Sequence, residues 1–151
     1  MIEYLTFFER AKESSRQLIN ISDEQINRVL LDLATRVLEE STVLMDANTL
    51  DLNLIEQSDP MYERVIISED KIKHIAESLT QVSQLESPLH RKVDQKMLSN
   101  GLYLEKVSVP LGVLGVIAEA RPNLTFDLFA LSLKSGNALL IMVFEMPIHN
   151  R

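Results

Sequence analysis

V-P-L-G-V-L-G-V-I-A-E-A-R-P-N, Val109 to Asn123, is an apolar run punctuated by two glycines and closed by an Arg-Pro-Asn turn. Pro110 and Gly112 interrupt its start, and Val113 to Ala118 predicts a buried strand. Thr125 is placed to cap a short helix, Phe126 to Lys134. The apolar residues of that helix point nearly all round, which predicts burial on most sides. Lys134 suits the negative end of the helix, and Gly136 suits the left-handed position after it. Ala138 to Phe144 predicts a second buried strand. Strand, helix and strand in this order make a βαβ unit, with a right-handed crossover to a parallel neighbour.

Before this block the pattern changes twice. Arg91 to Leu98 and Leu102 to Val109 are extended runs around Ser99-Asn100-Gly101, and Asn-Gly predicts a hairpin because both residues tolerate positive φ. The first half reads as helices. Leu5, Phe8, Ala11, Ser15 and Leu18 predict an amphipathic helix over Glu3 to Asn20. Ser22 and Gln25 form a capping box, with Asp23 and Glu24 in the positive first turn. The stripe Ile26, Val29, Leu30, Leu33, Ala34, Val37, Leu38 follows. A third helix is expected over Thr42 to Gln57, with Val43, Leu44, Ala47, Leu50 and Leu54 inward, ended by Ser58-Asp59-Pro60. Ser68 caps a fourth, with stripe Ile72, Ile75, Ala76, Leu79, Val82.

Composition narrows the function. The 151 residues are 46% hydrophobic and 25% charged, a globular balance suited to one domain. The net charge of −7 argues against a nucleic-acid or anionic-membrane surface. Met1-Ile2-Glu3-Tyr4 does not begin a signal peptide, and the run Ala138 to Phe144 is far shorter than the roughly 20 residues that span a bilayer. The absence of cysteine fits a cytoplasmic protein and removes disulfides, thiolate metal sites and a cysteine nucleophile. His74, His90 and His149 lack ligand spacing, so no metal site is expected.

Chemistry has few places to sit. Glu119-Ala120-Arg121-Pro122-Asn123 lies at the carboxyl end of the first βαβ strand, where α/β sheets bind ligands. There an asparagine can donate to a developing oxyanion, and backbone amides near a helix N-terminus favour negative charge. Equally, Arg-Pro-Asn can be a turn that caps a helix. Gly112 and Gly115 are spaced G-x-x-G, not as the dinucleotide fingerprint, and suit a bulge or close packing. Lys134-Ser135-Gly136-Asn137 reads as a helix C-cap, and Asp46 to Asp51 as a solvated helix face. Glu119 is the carboxylate inside the apolar block; as a general base it would stand alone, with no nucleophile spaced to pair with it.

The segments Ala11 to Arg16 (A-K-E-S-S-R), Asp46 to Asp51 (D-A-N-T-L-D) and Ser99 to Leu102 (S-N-G-L) resemble segments of the γ-glutamyl phosphate reductases. The most specific likeness lies in V-P-L-G-V-L-G-V-I-A-E-A-R-P-N followed by L-K-S-G-N-A, in that order and at the family's separation. That family is also called glutamate-5-semialdehyde dehydrogenase, in the aldehyde dehydrogenase superfamily. The resemblance implies an oxidoreductase of proline, hence amino-acid, biosynthesis that uses NADPH. In it γ-glutamyl phosphate acylates a cysteine, phosphate leaves, and hydride reduces the thioester to glutamate 5-semialdehyde. It further implies that Asn123 contributes to the oxyanion hole. Ala118, Glu119, Ala120, Arg121 and Pro122 would lie along the NADP cofactor, and the hairpin at about 91–109 would belong to an arm that forms a homo-oligomer.

The implied fold is α/β: N-terminal helices, a β-hairpin and the first βαβ unit of an aldehyde-dehydrogenase-like cofactor domain, truncated. Residues 1–140 would be part of that domain. Residues 141–151 depart from the family, which continues after Leu140 with a basic residue and a Gly-Gly pair. A frameshifted or truncated reading frame, lacking the catalytic domain and its cysteine, is the expectation, with a short homologue bearing its own tail as the alternative. The chain alone is expected to be inactive; the competing reading is a non-catalytic interaction module or pseudoenzyme that docks onto a full-length reductase.

Overall fold

The computed structural model describes residues 2–60, 62–119 and 121–144. The helical first half comprises α1 (Ile2–Leu18), α2 (Asp23–Glu39), α3 (Ser41–Leu52), the short α4 (Tyr62–Val65) and α5 (Glu69–Gln84). The hairpin β1 (Lys92–Met97) and β2 (Tyr103–Val107) follows, then β3 (Val113–Glu119), α6 (Pro122–Lys134) and β4 (Ala138–Phe144). This is the α/β arrangement that the sequence predicts.

The core lies where α2, α5 and α6 meet. The capping box forms as expected: the Gln25 backbone N–H donates to Ser22 Oγ at 3.2 Å, and the Ser22 N–H donates to Gln25 Oε1 at 3.0 Å. One face of α2 then buries Ile26, Leu30, Ala34 and Val37. They cluster with Ile72, Ile75, Ala76, Leu79 and Val82 of α5 and with Ala130 of α6. Burying each large aliphatic side chain contributes about 1.5–3 kcal/mol relative to leaving it in water. Val29 and Leu38, at the edges of the predicted stripe, remain exposed.

α3 ends at Leu52, and its inward face differs from the expected one. Leu44 packs inward as expected, but Val43, Ala47, Leu50 and Leu54 are exposed, and Met45 and Asn48 turn inward instead. Asn48 explains the rotation. Its Nδ2 donates to Val65 O at 2.9 Å and its Oδ1 accepts from the Ile67 N–H at 2.7 Å. A buried amide must be paired, and its partners sit on the segment leading from α4 to α5.

β1 and β2 are antiparallel, with Gln95 opposite Glu105 and a register irregularity between Lys92 and Asp94. The Leu98 N–H donates to Leu102 O at 2.8 Å, and the Gly101 N–H donates to Leu98 O at 2.9 Å. The loop is therefore the three residues Ser99-Asn100-Gly101. Gly101 alone takes positive φ, at 85°, and Asn100 instead accepts the Leu102 N–H through Oδ1. Residues of both strands are exposed on both faces.

β3 and β4 pair in parallel, from Val113 opposite Ala138 to Glu119 opposite Phe144, with α6 between them in sequence. α1 also contacts both strands. The expectation of fully buried strands is corrected. Along β3, Leu114, Val116 and Ala118 are covered, but Ile117 on the other face is 66% exposed, and Met142 and Val143 of β4 are also exposed. Two strands covered on one side leave the other side open, whereas parallel sheets are ordinarily covered on both.

The start of α6 is also corrected. The helix begins at Pro122, not Phe126, and Arg121 occupies the N-cap without a side-chain cap bond. Proline suits the first helical position because an N–H there would lack a partner. Thr125 is thus inside the helix and caps nothing, and Leu131 is exposed despite the apolar run around it.

The helix end follows the predicted C-cap. Gly136 has φ 70°. The Gly136 and Asn137 N–H groups donate to Leu133 O and Ser132 O, the two bonds of a Schellman motif. A Cβ on Gly136 would also lie 2.9 Å from a Leu89 methyl. Buried Asn137 accepts the Gly112 N–H at 2.8 Å, which ties this end of α6 to the entry of β3.

Candidate functional site

The turn after β3, the first turn of α6, α4 and the start of α5 converge on one open pocket of about 290 Å³. Arg121, Pro122 and Asn123, three of the residues singled out in the sequence, line it together. Arg64, Lys71 and Asp127 line it as well. Glu119 joins through ion pairs. Ala118 is buried on the covered face of β3. Ala120 lies outside the described residues.

Glu119 does not stand alone. Its Oε2 accepts from Arg121 Nε at 2.8 Å and lies 2.6 Å from Arg121 Nη2, while Oε1 accepts from Arg64 Nη1 at 3.0 Å. Arg121's hydrogen bond, and then its charge and Arg64's pairing, hold the carboxyl below its ordinary value against the opposing effect of desolvation. A carboxylate with both oxygens occupied by guanidinium is a poor general base. Its geometry instead makes links: Glu119 joins the end of β3 to α4 through Arg64 and to the N-cap of α6 through Arg121.

Asn123 sits in the first turn of α6. Its Oδ1 is buried and has no hydrogen-bond partner. Such an atom costs about 1–3 kcal/mol if left unpaired in the interior. An asparagine acting only as a turn residue would use that oxygen locally.

Lys71 was not legible as a site residue. It occupies the third position of α5, where a cation opposes the helix dipole. Two backbone carbonyls offset that: Nζ donates to Ile66 O at 2.7 Å and to Glu63 O at 3.2 Å. A cation in a first turn is the one signal in the sequence that points to it. Asp127 accepts the Ser78 hydroxyl proton through Oδ1 at 2.7 Å.

The other sequence candidates are structural. Gly112 has φ 107° and turns the chain into β3; Gly115 has open space beside it. Asp46 and Asp51 are exposed. His74 lies 3.3 Å from Glu77 on the solvent face of α5. Among the described residues, no group of three or more His, Cys, Asp or Glu side chains is placed to hold a metal ion, and no helix is long and apolar enough to cross a membrane.

No family model matches the chain. Curated proteins do. The γ-glutamyl phosphate reductase of Chlorobium phaeovibrioides is 47% identical over 133 residues, covering 88% of this chain and 32% of the relative. That of Bacteroides thetaiotaomicron is 41% identical over 134 residues, covering 89% of this chain and 32% of the relative. Among solved structures, the γ-glutamyl phosphate reductase of Thermotoga maritima superposes with a TM-score of 0.83 at 26% identity, over 89% of this chain and 33% of the other. The Saccharomyces cerevisiae enzyme gives 0.84 at 28% identity, over 91% and 36%. The chain spans about a third of the length of the relatives that it matches. Over that third, in sequence and in fold, it is a homologue of the γ-glutamyl phosphate reductases, corresponding to their N-terminal portion.

Proposed function

We propose that this chain forms the part of a γ-glutamyl phosphate reductase that presents the oxyanion donor and one wall of the cofactor and substrate cleft. The observation that carries this reading is the pocket itself. The turn most specific to the family ends in Arg121, Pro122 and Asn123, and these line the pocket together with the cationic side chains of Arg64 and Lys71.

The chain's own residues would act as follows. Arg64 and Arg121 clamp Glu119, which ties the end of β3 to α4 and to the N-cap of α6. Asn123 is fixed in the first turn of α6, where its side-chain N–H and the helix amides favour negative charge. An oxygen that becomes negative during acyl reduction would be stabilised there. NADP is the cofactor proposed. The fit rests on the turn's place beyond the strand end, where α/β sheets hold ligands, and on the arginine-rich rim; residues 118–122 would lie along it. Bound there, it would supply the hydride.

The chain contains no cysteine, so it lacks the thiol on which the family's acyl transfer depends, and alone it should be inactive. The remaining parts of the reading are a cytoplasmic setting, residues 1–140 as part of the cofactor domain, and homo-oligomerisation through the hairpin. Exposed Val93, Met97 and Leu104 support the last, since a two-stranded hairpin open on both faces is marginal without a partner. The same surface supports the second reading, a non-catalytic module that docks onto a full-length reductase.

A chimera decides between them. Residues 1–140 of this chain replace the matching third of the Chlorobium reductase, and NADP⁺ reduction with glutamate 5-semialdehyde and phosphate is measured beside the isolated chain. The proposal expects turnover from the folded chimera and none from the chain. A chimera that folds without turnover, or turnover by the chain alone, would overturn it.

A further inference from the structure

We infer that Lys71, Arg64 and Asp127 form a subsite for the zwitterionic α-amino-acid head of the substrate, on the wall of the pocket beside Asn123. The inference rests on the reductase reading for its ligand, and on the pocket's own chemistry for its residues.

Charge comes first. The pocket gathers three cationic side chains, from Arg64, Lys71 and Arg121, and one lining carboxylate, from Asp127. Glu119 draws the two guanidinium groups together outside the lining set. Lys71 is half-buried, and two of its three ammonium protons are used by Ile66 O and Glu63 O. Those carbonyls fix the ammonium and leave one donor. Asp127 is held through Oδ1 by Ser78, so its second oxygen is available to accept.

A plain phosphate site would need donors only. Here positioned donors stand beside an acceptor, Asp127 Oδ2. That acceptor suits an ammonium group, and the cations suit a carboxylate. An α-amino acid carries both groups on one carbon. Lys71 and Arg64 would take its carboxylate and Asp127 its ammonium, which would leave the γ-acyl end of the molecule to reach Asn123.

Equilibrium binding to the 151-residue chain tests this without turnover. Ligand-observed saturation-transfer NMR gives affinities for three probes: L-glutamate, glutarate (which lacks the ammonium) and inorganic phosphate. L-Glutamate should bind about tenfold more tightly than glutarate, the factor expected from one hydrogen bond between charged groups. Asp127→Asn, which keeps an acceptor for Ser78, should reduce that preference to about twofold or less, and Lys71→Met should weaken both dicarboxylates by about tenfold. Equal affinities for L-glutamate and glutarate, phosphate binding as tight as L-glutamate, or no saturable L-glutamate binding would each overturn the subsite. The probe series on the unaltered chain needs no variant to fold. An inactive chimera together with this binding pattern would sink the reductase reading and leave the subsite standing; an active chimera without the pattern would do the reverse.

Discussion

The Lys134 ammonium at the end of α6 lies 2.7 Å from the Asp23 carboxylate at the start of α2, across 111 positions of sequence. It also donates to Asn27 Oδ1 at 2.6 Å and reaches Ser83 O at 3.5 Å. Three helices are thereby joined at one end of the core. The exposures are unequal: the Lys134 side chain is 4% exposed and that of Asp23 is 39%.

That inequality predicts which half of the pair matters more. Asp23→Ala would leave a buried ammonium without its counter-charge, at a cost of about 3 kcal/mol, the lower end for a broken buried pair because Asn27 and Ser83 remain. Lys134→Met would leave a carboxylate that water can reach, and should cost about 1–2 kcal/mol. Urea unfolding of both variants gives the comparison. A larger loss for Lys134→Met would show that the packing of the lysine stem, and not the pair, governs this corner.

Glu119 predicts a titration. Its carboxyl is held below its ordinary 4.5, chiefly by Arg121 and less by Arg64. A folded-state value below the unfolded one means that the paired carboxylate favours the folded turn fully above the unfolded value. That contribution is lost as pH falls through the lower, folded value. Arg121→Ala should therefore move the Glu119 titration upward towards 4.5 by more than Arg64→Ala does. Carboxyl ¹³C chemical shifts followed against pH measure both. Equal or reversed shifts would contradict the assignment of Arg121 as the dominant partner.

The open face of the β3–β4 sheet predicts association. Ile117 and its register partner Met142 face solvent there, and the α1 side chains Leu5 and Phe8, expected inward from their spacing, are exposed as well. Parallel sheets with an open apolar face and bare edges recruit partners. Size-exclusion chromatography should show concentration-dependent species above the monomer, with a melting temperature inside the usual mesophilic range of about 45–65 °C. A sharp monomer melting above that range would exclude it.

Much of this architecture can be read from local pattern. The Ser22–Gln25 box, the α5 stripe and the Gly136 cap each involve residues within one or two helical turns, so neighbouring residue types suffice. What escapes the sequence is fixed at long range. The inward face of α3 is set by Asn48, whose partners lie 17 and 19 positions onward. Of the two partners of Glu119, Arg121 is two positions on and within the same motif, but Arg64 is 55 positions away. The start of α6 is a different failure: Pro122 and Thr125 both offer a helix start, and the proline prevails because its missing N–H costs nothing at the first position. The pocket shares this division. Arg121, Pro122 and Asn123 are adjacent in the chain, and Asp127 follows one helical turn later in α6, whereas Arg64 and Lys71 belong to α4 and α5, which only packing brings near.

Asn123 gives the sharpest test of the functional reading. In the chimera, Asn123→Ala should lower kcat by about 10²–10³, the usual loss for one oxyanion donor, with little change in KM. Stability should barely move, because Oδ1 has no partner to lose and Arg121, not Asn123, occupies the N-cap. The opposing expectation is a turn residue whose loss destabilises by about 1 kcal/mol while kcat per folded molecule stays normal. Steady-state kinetics and a thermal melt on the same preparation separate the two. A kcat loss at unchanged melting temperature assigns Asn123 to the chemistry. A melting loss at unchanged kcat returns it to the fold.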